Sequence, residues 1–154
     1  MKKIVGIDYG SKLAGTTVIC YAEGDELNVK QSLKKKDADA FIKSFCNDYQ
    51  PDCVYIDAPL SLPLVYTSGG KGLDYFYRQA DKATQAMSPM FLGGLTARAI
   101  KLKDELSASI FYEAYPKMLV DMLDLKSHYK TDISLFLQSL ASKLPSVSFP
   151  KTLD

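Results

Sequence analysis

Asp8 ends the apolar run Ile4-Val5-Gly6-Ile7-Asp8, and Asp57 ends another, Cys53-Val54-Tyr55-Ile56-Asp57. A third run, Ser109-Ile110-Phe111-Tyr112-Glu113, also closes on an acid. A carboxylate at such a place is costly to desolvate unless a cation or a hydrogen-bond donor meets it. Carboxylates converging in one cleft repel each other, and a divalent metal supplies the missing charge. Mg²⁺ takes one or two carboxylates, keeps several waters and binds phosphate oxygens. Two such ions about 3.5–4 Å apart stabilise both the attacking and the leaving oxygen in phosphodiester hydrolysis. The chemistry indicated is therefore metal-assisted cleavage of a phosphodiester, with Mg²⁺ or Mn²⁺ as cofactor. In that reading Asp8 bridges the metals, Asp57 is a second ligand, and Glu113 is a third ligand or an orienter of water. Plainer roles stay open: Asp57 as a turn acid before Ala58-Pro59, Glu113 as the partner of a cation that holds its strand.

The cations divide in the same way. Asp8 is followed by Tyr9-Gly10-Ser11-Lys12-Leu13-Ala14-Gly15, where the glycines permit a tight turn and close approach to a ligand. Strand, acid, glycine-bearing turn and return strand form a recurrent cradle for metal plus phosphate, and Lys12 can reach a phosphate from it or remain solvated. Arg98 falls in the first turn of a helix after Gly93-Gly94, where a phosphate can dock on free N–H groups. A cation there opposes the helix dipole, so Arg98 is expected to face an anion or an acid. Lys34-Lys35-Lys36 reads as a solvated linker, and His128 as a residue after a helix end. Tyr75-Phe76-Tyr77 can stack on unpaired bases or pack as core or lid. No serine has a histidine at motif spacing, so a nucleophilic triad has no support.

The elements that must position these residues follow from periodicity. Three strands on short connections open the chain: residues 4–8, 16–21 and 26–31, the last entered through Glu23-Gly24-Asp25. A helix over 37–49 carries Ala38, Phe41, Ile42, Phe45, Cys46 and Tyr49 on one face, with Asp37 or Asp39 to cap it and Pro51 to stop it. Strands over 53–57 and 109–113 enclose an irregular Gly-, Pro- and Ser-rich stretch, 60–95, with one helical piece near 73–85. A helix over 96–106 follows that stretch. Helices over 116–125 and 131–143 come last. Strands joined through a helix run parallel with right-handed crossovers. If the fourth strand lies beside the first and the fifth beside the fourth, Asp8, Asp57 and Glu113 meet at one carboxyl edge, where open α/β sheets bind ligands.

At 154 residues the chain is read as one domain, 1–154, with 60–95 as an irregular insertion near the site. Apolar residues make up 47% and charged residues 24%, as in ordinary globular proteins. A net charge of +1 and a pI of about 7.6 give no whole-protein basic footprint, although a cleft can be basic within a balanced total. Cys20, Cys46 and Cys53 lack C-x-x-C spacing and read as reduced core thiols of a cytoplasmic protein. Asp8 interrupts any signal h-region, and no apolar run approaches the roughly 18 residues of a membrane span. No membrane association is expected.

The element order with its leading acid resembles the RNase H-like superfamily, and Ile7-Asp8-Tyr9-Gly10-Ser11-Lys12 with Gly15 is similar to the opening of YqgF-type Holliday-junction resolvases. More closely, several motifs together resemble a domain-of-unknown-function family of predicted nucleases in that superfamily. They are Ile56-Asp57-Ala58-Pro59-Leu60, Arg78 with Asp81, Pro89-Met90 before Gly93-Gly94-Leu95-Thr96-Ala97-Arg98, and Glu113-Ala114-Tyr115-Pro116. The resemblance spans roughly residues 3–118. It implies an α/β RNase H-like mixed five-stranded sheet, order 3-2-1-4-5 with strand 2 antiparallel, and helices on both faces. It also implies a metal-dependent nuclease acting on DNA or RNA. Asp81 joins Asp8, Asp57 and Glu113 as a catalytic candidate, and Gly10, Lys12, Arg78 and Arg98 become substrate-binding candidates. Relatives continue into a final helix bearing an acid. Either Asp154 opens that element and the last C-terminal helix is lacking, or the third acid comes from elsewhere. Two other classes fit the same residues: a single phosphate- or nucleotide-binding lobe related to actin-like ATPases, and a non-catalytic interaction domain.

Overall fold

The computed structural model describes residues 2–70 and 73–148. β1 (Ile4–Asp8) alternates, with Val5 and Ile7 buried between the exposed Ile4 and Asp8. It pairs antiparallel with β2 (Val18–Glu23), which pairs antiparallel with β3 (Glu26–Gln31). β2 begins two residues later than the apolar run suggests. Thr17 is fully buried, its hydroxyl accepts the Gly10 N–H at 3.1 Å, and its own N–H donates to Ser32 Oγ at 3.1 Å. Those bonds stand in place of the ladder there. The two loop glycines serve this closure: a Cβ on Gly10 would lie 2.1 Å from Thr16 Oγ1. One on Gly15 (φ +73°) would lie 2.6 Å from the Lys34 nitrogen.

α1 (Ala38–Tyr49) is capped by Asp37, whose carboxylate accepts the N–H groups of Asp39 and Ala40. It ends at Gln50 in the left-handed conformation, one residue before Pro51. β4 (Cys53–Ile56) follows, parallel to β1. Residues 60–95 hold three short helices rather than one: α2 (Val65–Ser68), α3 (Gln79–Thr84) and α4 (Pro89–Leu92). Asp74 explains why no helix starts near 73. Its carboxylate accepts the N–H groups of Phe76 and Tyr77 at 2.8 and 2.9 Å, a local turn that competes with helix. α5 (Gly94–Glu105) leads to β5 (Ile110–Glu113), parallel to β4. α6 (Pro116–Met122) and α7 (Ile133–Lys143) come last, and no residue of α7 is buried. No helix among the described residues is long and apolar enough to cross a membrane.

The sheet has the order β3-β2-β1-β4-β5, a mixed α/β sheet flanked by helices, with β2 antiparallel to its neighbours. One face builds the core: Val5, Ile7, Tyr9, Ile19, Tyr21, Val54 and Ile56 pack on Ile42, Phe45 and Cys46 of α1 and on Ala99 and Leu102 of α5. Each such large side chain contributes roughly 1.5–3 kcal/mol by leaving water. The register sets the rows: Ile7, Ile56 and Glu113 are level, as are Gly6, Tyr55 and Tyr112. Side chains alternate between faces along a strand. Glu113 therefore shares the core face with Phe111 and Ile56, while Asp8 and Asp57 continue the opposite face beyond Gly6 and Tyr55.

Candidate functional site

β1 and β4 deliver Asp8 and Asp57 side by side at the carboxyl edge of the sheet. The Asp57 N–H donates to the Ile7 carbonyl at 3.3 Å, extending the parallel ladder by one bond. In return the Tyr9 N–H donates to Asp57 Oδ1 at 2.7 Å, which fixes the carboxylate. Asp57 is half-buried and Asp8 exposed. Burial pushes the Asp57 pKa above its ordinary value, and the neighbouring Asp8 adds to the rise; the Tyr9 N–H opposes it. This is the signature of negative charge with no cation among the described residues to answer it.

Glu113 does not join that pair. Both its oxygens accept from the Arg78 guanidinium, Oε2 at 2.8 Å and Oε1 in a closer contact. Oε1 also takes the Leu60 N–H at 2.8 Å, and Oε2 the Tyr115 hydroxyl at 2.7 Å. Burial alone would raise the Glu113 pKa, but Arg78, the Leu60 N–H and the Tyr115 hydroxyl together hold it below the usual range. Tyr115 is pushed up to about 12 by burial and by Glu113. Asp81, only 1% exposed, sits on the other flank of Arg78, with Oδ1 at 2.6 Å from Nη2 and Oδ2 accepting the Arg78 N–H at 2.8 Å. Of the two roles open to Glu113, the geometry is that of a cation's partner. Its place on the core face, one row short of Asp8 and Asp57, is the physical reason. Among the described residues no three His, Cys, Asp or Glu side chains are grouped to hold a metal. Asp154, the alternative third acid, lies outside the described residues.

Arg98 also faces an acid. Its Nε and Nη2 bond the two Asp39 oxygens at 2.9 and 2.7 Å, Nη1 reaches the Gly10 carbonyl at 3.2 Å, and the guanidinium lies 4.7 Å from the Tyr9 ring centroid. α5 starts at Gly94, so Arg98 stands one turn in rather than in the first turn. The Tyr9 hydroxyl completes the cluster by donating to Asp39 at 2.6 Å. Burial would raise Asp39, but Arg98 and Tyr9 lower it on balance. The cluster pins the loop after β1 to α1 and α5 on the core face, and Gly10 contributes its carbonyl to it. Lys12 pairs with Asp37 at 3.2 Å on the surface.

Beside Asp57 opens a cleft of about 480 Å³, bordered by Arg78, Glu113, Tyr115, Lys117 and Lys130. The sequence reading missed Tyr115, Asp39, Lys117 and Lys130. The alternation Val5-Ile7-Tyr9 places Tyr9 on the core face and was a usable signal. Nothing local marks Asp39 as Arg98's partner, because the two are 59 residues apart. Compared with known proteins, the chain matches no family model and, at a significant level, no curated protein sequence.

Proposed function

We propose that this chain is a divalent-metal-dependent nuclease of RNase H-like type, acting on nucleic acid in the cytoplasm, with Asp8 and Asp57 as its metal-binding pair. The observation that carries the reading is the Asp8–Asp57 pair itself: two carboxylates adjoining at the ends of parallel strands, Asp57 raised by burial and by its neighbour. That donor set fits Mg²⁺ or Mn²⁺, which use one or two carboxylates and fill the remaining positions with water and phosphate oxygens. When bound, the ion supplies Lewis-acid polarisation of the phosphodiester and a more acidic water. The Tyr9 N–H holds Asp57 in place, leaving Oδ2 to bind. Lys117 and Lys130, on the rim of the cleft, attract the phosphate chain. Arg78, held between Asp81 and Glu113, forms a wall of the cleft with both acids. In hydrolysis the water oxygen joins phosphorus, one P–O ester bond breaks, and the water's proton leaves as the departing alkoxide gains one.

One observation favours a second reading, a module that binds phosphate or nucleotide, or another partner, without cutting. Glu113 is fully engaged by Arg78, Leu60 and Tyr115, so the described acid set stops at two. Incubating labelled DNA and RNA oligonucleotides with the protein and Mn²⁺ separates the readings. Cleavage that falls at least a hundredfold in both Asp8→Ala and Asp57→Ala supports the nuclease. Undiminished cleavage in both variants removes the site. Absence of cleavage beside a clear calorimetric titration with ATP and Mg²⁺ favours the second reading.

A further inference from the structure

Phe76 and Phe91 stack on each other with centroids 5.6 Å apart and planes at 30°, yet each remains more than half exposed. A stacked aromatic pair normally gains most by leaving water, so its exposure calls for an occupant. Hydrogen bonds tie the segments that carry the pair. Ser88, fully buried, donates its hydroxyl to the Phe76 carbonyl and accepts the Met90 N–H, tying the turn that bears Phe76 to the helix that bears Phe91. Asp74 fixes the same turn from below through the N–H groups of Phe76 and Tyr77. Tyr77 meets Phe91 edge-on at 6.0 Å. Chain neighbours of the platform line the cleft beside Asp57. Arg78 follows Tyr77 into it, and Met87 and Leu92, chain neighbours of Ser88 and Phe91, line it.

We propose that Phe76 and Phe91 form a base-stacking platform that selects single-stranded nucleic acid and feeds it to the Asp57 cleft; the proposal rests on the nuclease reading and names its substrate class. Aromatic faces combined with cations along a groove are how proteins grip unpaired strands, because every base offers a π-face. The cations are present: Lys117 and Lys130 line the cleft and form no ion pair among the described residues, whereas Arg78 is engaged by both Asp81 and Glu113. A duplex hides its base faces within the stack, so this surface discriminates against it.

The test is fluorescence anisotropy on the full chain without added metal, using labelled dT12, U12 and a 12-base-pair duplex. Tighter binding of either single strand than of the duplex is expected. A Phe76→Leu/Phe91→Leu variant should bind the single strands at least tenfold more weakly, and Phe76→Tyr/Phe91→Tyr should restore binding. Circular dichroism melting of each variant confirms the fold. Equal affinity in the leucine variant, or preference for duplex, overturns the platform even if Mn²⁺-dependent cleavage persists. Strand binding that needs the phenylalanines in a protein that never cleaves supports the platform and removes the nuclease reading. Self-association abolished by the leucine variant, with no oligonucleotide binding, assigns the patch to protein contact and overturns the proposal.

Discussion

Two acidic clusters stand at the carboxyl edge of this sheet, on opposite faces, and their electrostatics run in opposite directions. On the core face Glu113 and Asp81 clasp one guanidinium, every oxygen has a donor, and Glu113 is pulled below its ordinary pKa. On the other face Asp57 takes one backbone N–H, from Tyr9, neither Asp8 nor Asp57 has an ion pair among the described residues, and Asp57 is pushed above its ordinary pKa. The difference teaches which acids are structural. A carboxylate whose lone pairs are all answered within the fold has nothing left for a ligand. One whose charge is left unanswered is held there at a cost, and a cation relieves it.

The comparison breaks most visibly at Arg78. Replacing it by alanine strands a fully buried Asp81 and a part-buried Glu113, and a loss of roughly 3–5 kcal/mol in unfolding free energy is expected. Arg78→Lys should recover only part of it, since one ammonium cannot serve two carboxylates in parallel. Urea denaturation monitored by circular dichroism measures both; a loss below 1 kcal/mol would show the cluster to be dispensable.

A smaller effect belongs to the other face. Mg²⁺ or Mn²⁺ should raise the melting temperature at neutral pH. The gain corresponds to about 1.4 kcal/mol at ten times the dissociation constant. Calorimetric melting should show the gain vanish in Asp57→Asn and persist in Glu113→Gln. Persistence in Asp57→Asn would move the ion elsewhere.

The smallest effect is in the pH profile, where the two faces carry opposite signs. Glu113 has a folded pKa below its ordinary 4.5, so its stabilisation is complete above that value and is lost as pH falls through the folded pKa. Asp57 has a folded pKa above its ordinary 3.8. Its penalty is absent below 3.8 and grows as pH rises from there to the folded pKa. Asp8→Asn should lower the Asp57 pKa and reduce that penalty, read by carboxyl ¹³C titration in NMR. An unmoved Asp57 would mean that burial alone sets it.

What the sequence by itself determined was local. Apolar runs ending in Asp8, Asp57 and Glu113 marked three strands, their helical and hairpin connections set directions, and Asp37 and Pro51 bounded α1. From these the antiparallel opening strands and the parallel run of the strands joined through helices were legible, because periodicity and crossover geometry are short-range rules; the sheet order came from the resemblance. The tertiary structure decided the rest. Whether Glu113 belongs with Asp57 depends on the register of β5 against β4, and shifting that register by one residue exchanges the faces. Arg78 and Arg98 each had a site role in the sequence and a carboxylate in the fold, supplied from 35 and 59 residues away. Partners so distant are chosen by packing, since only the folded chain brings them within the few ångströms at which charge is answered.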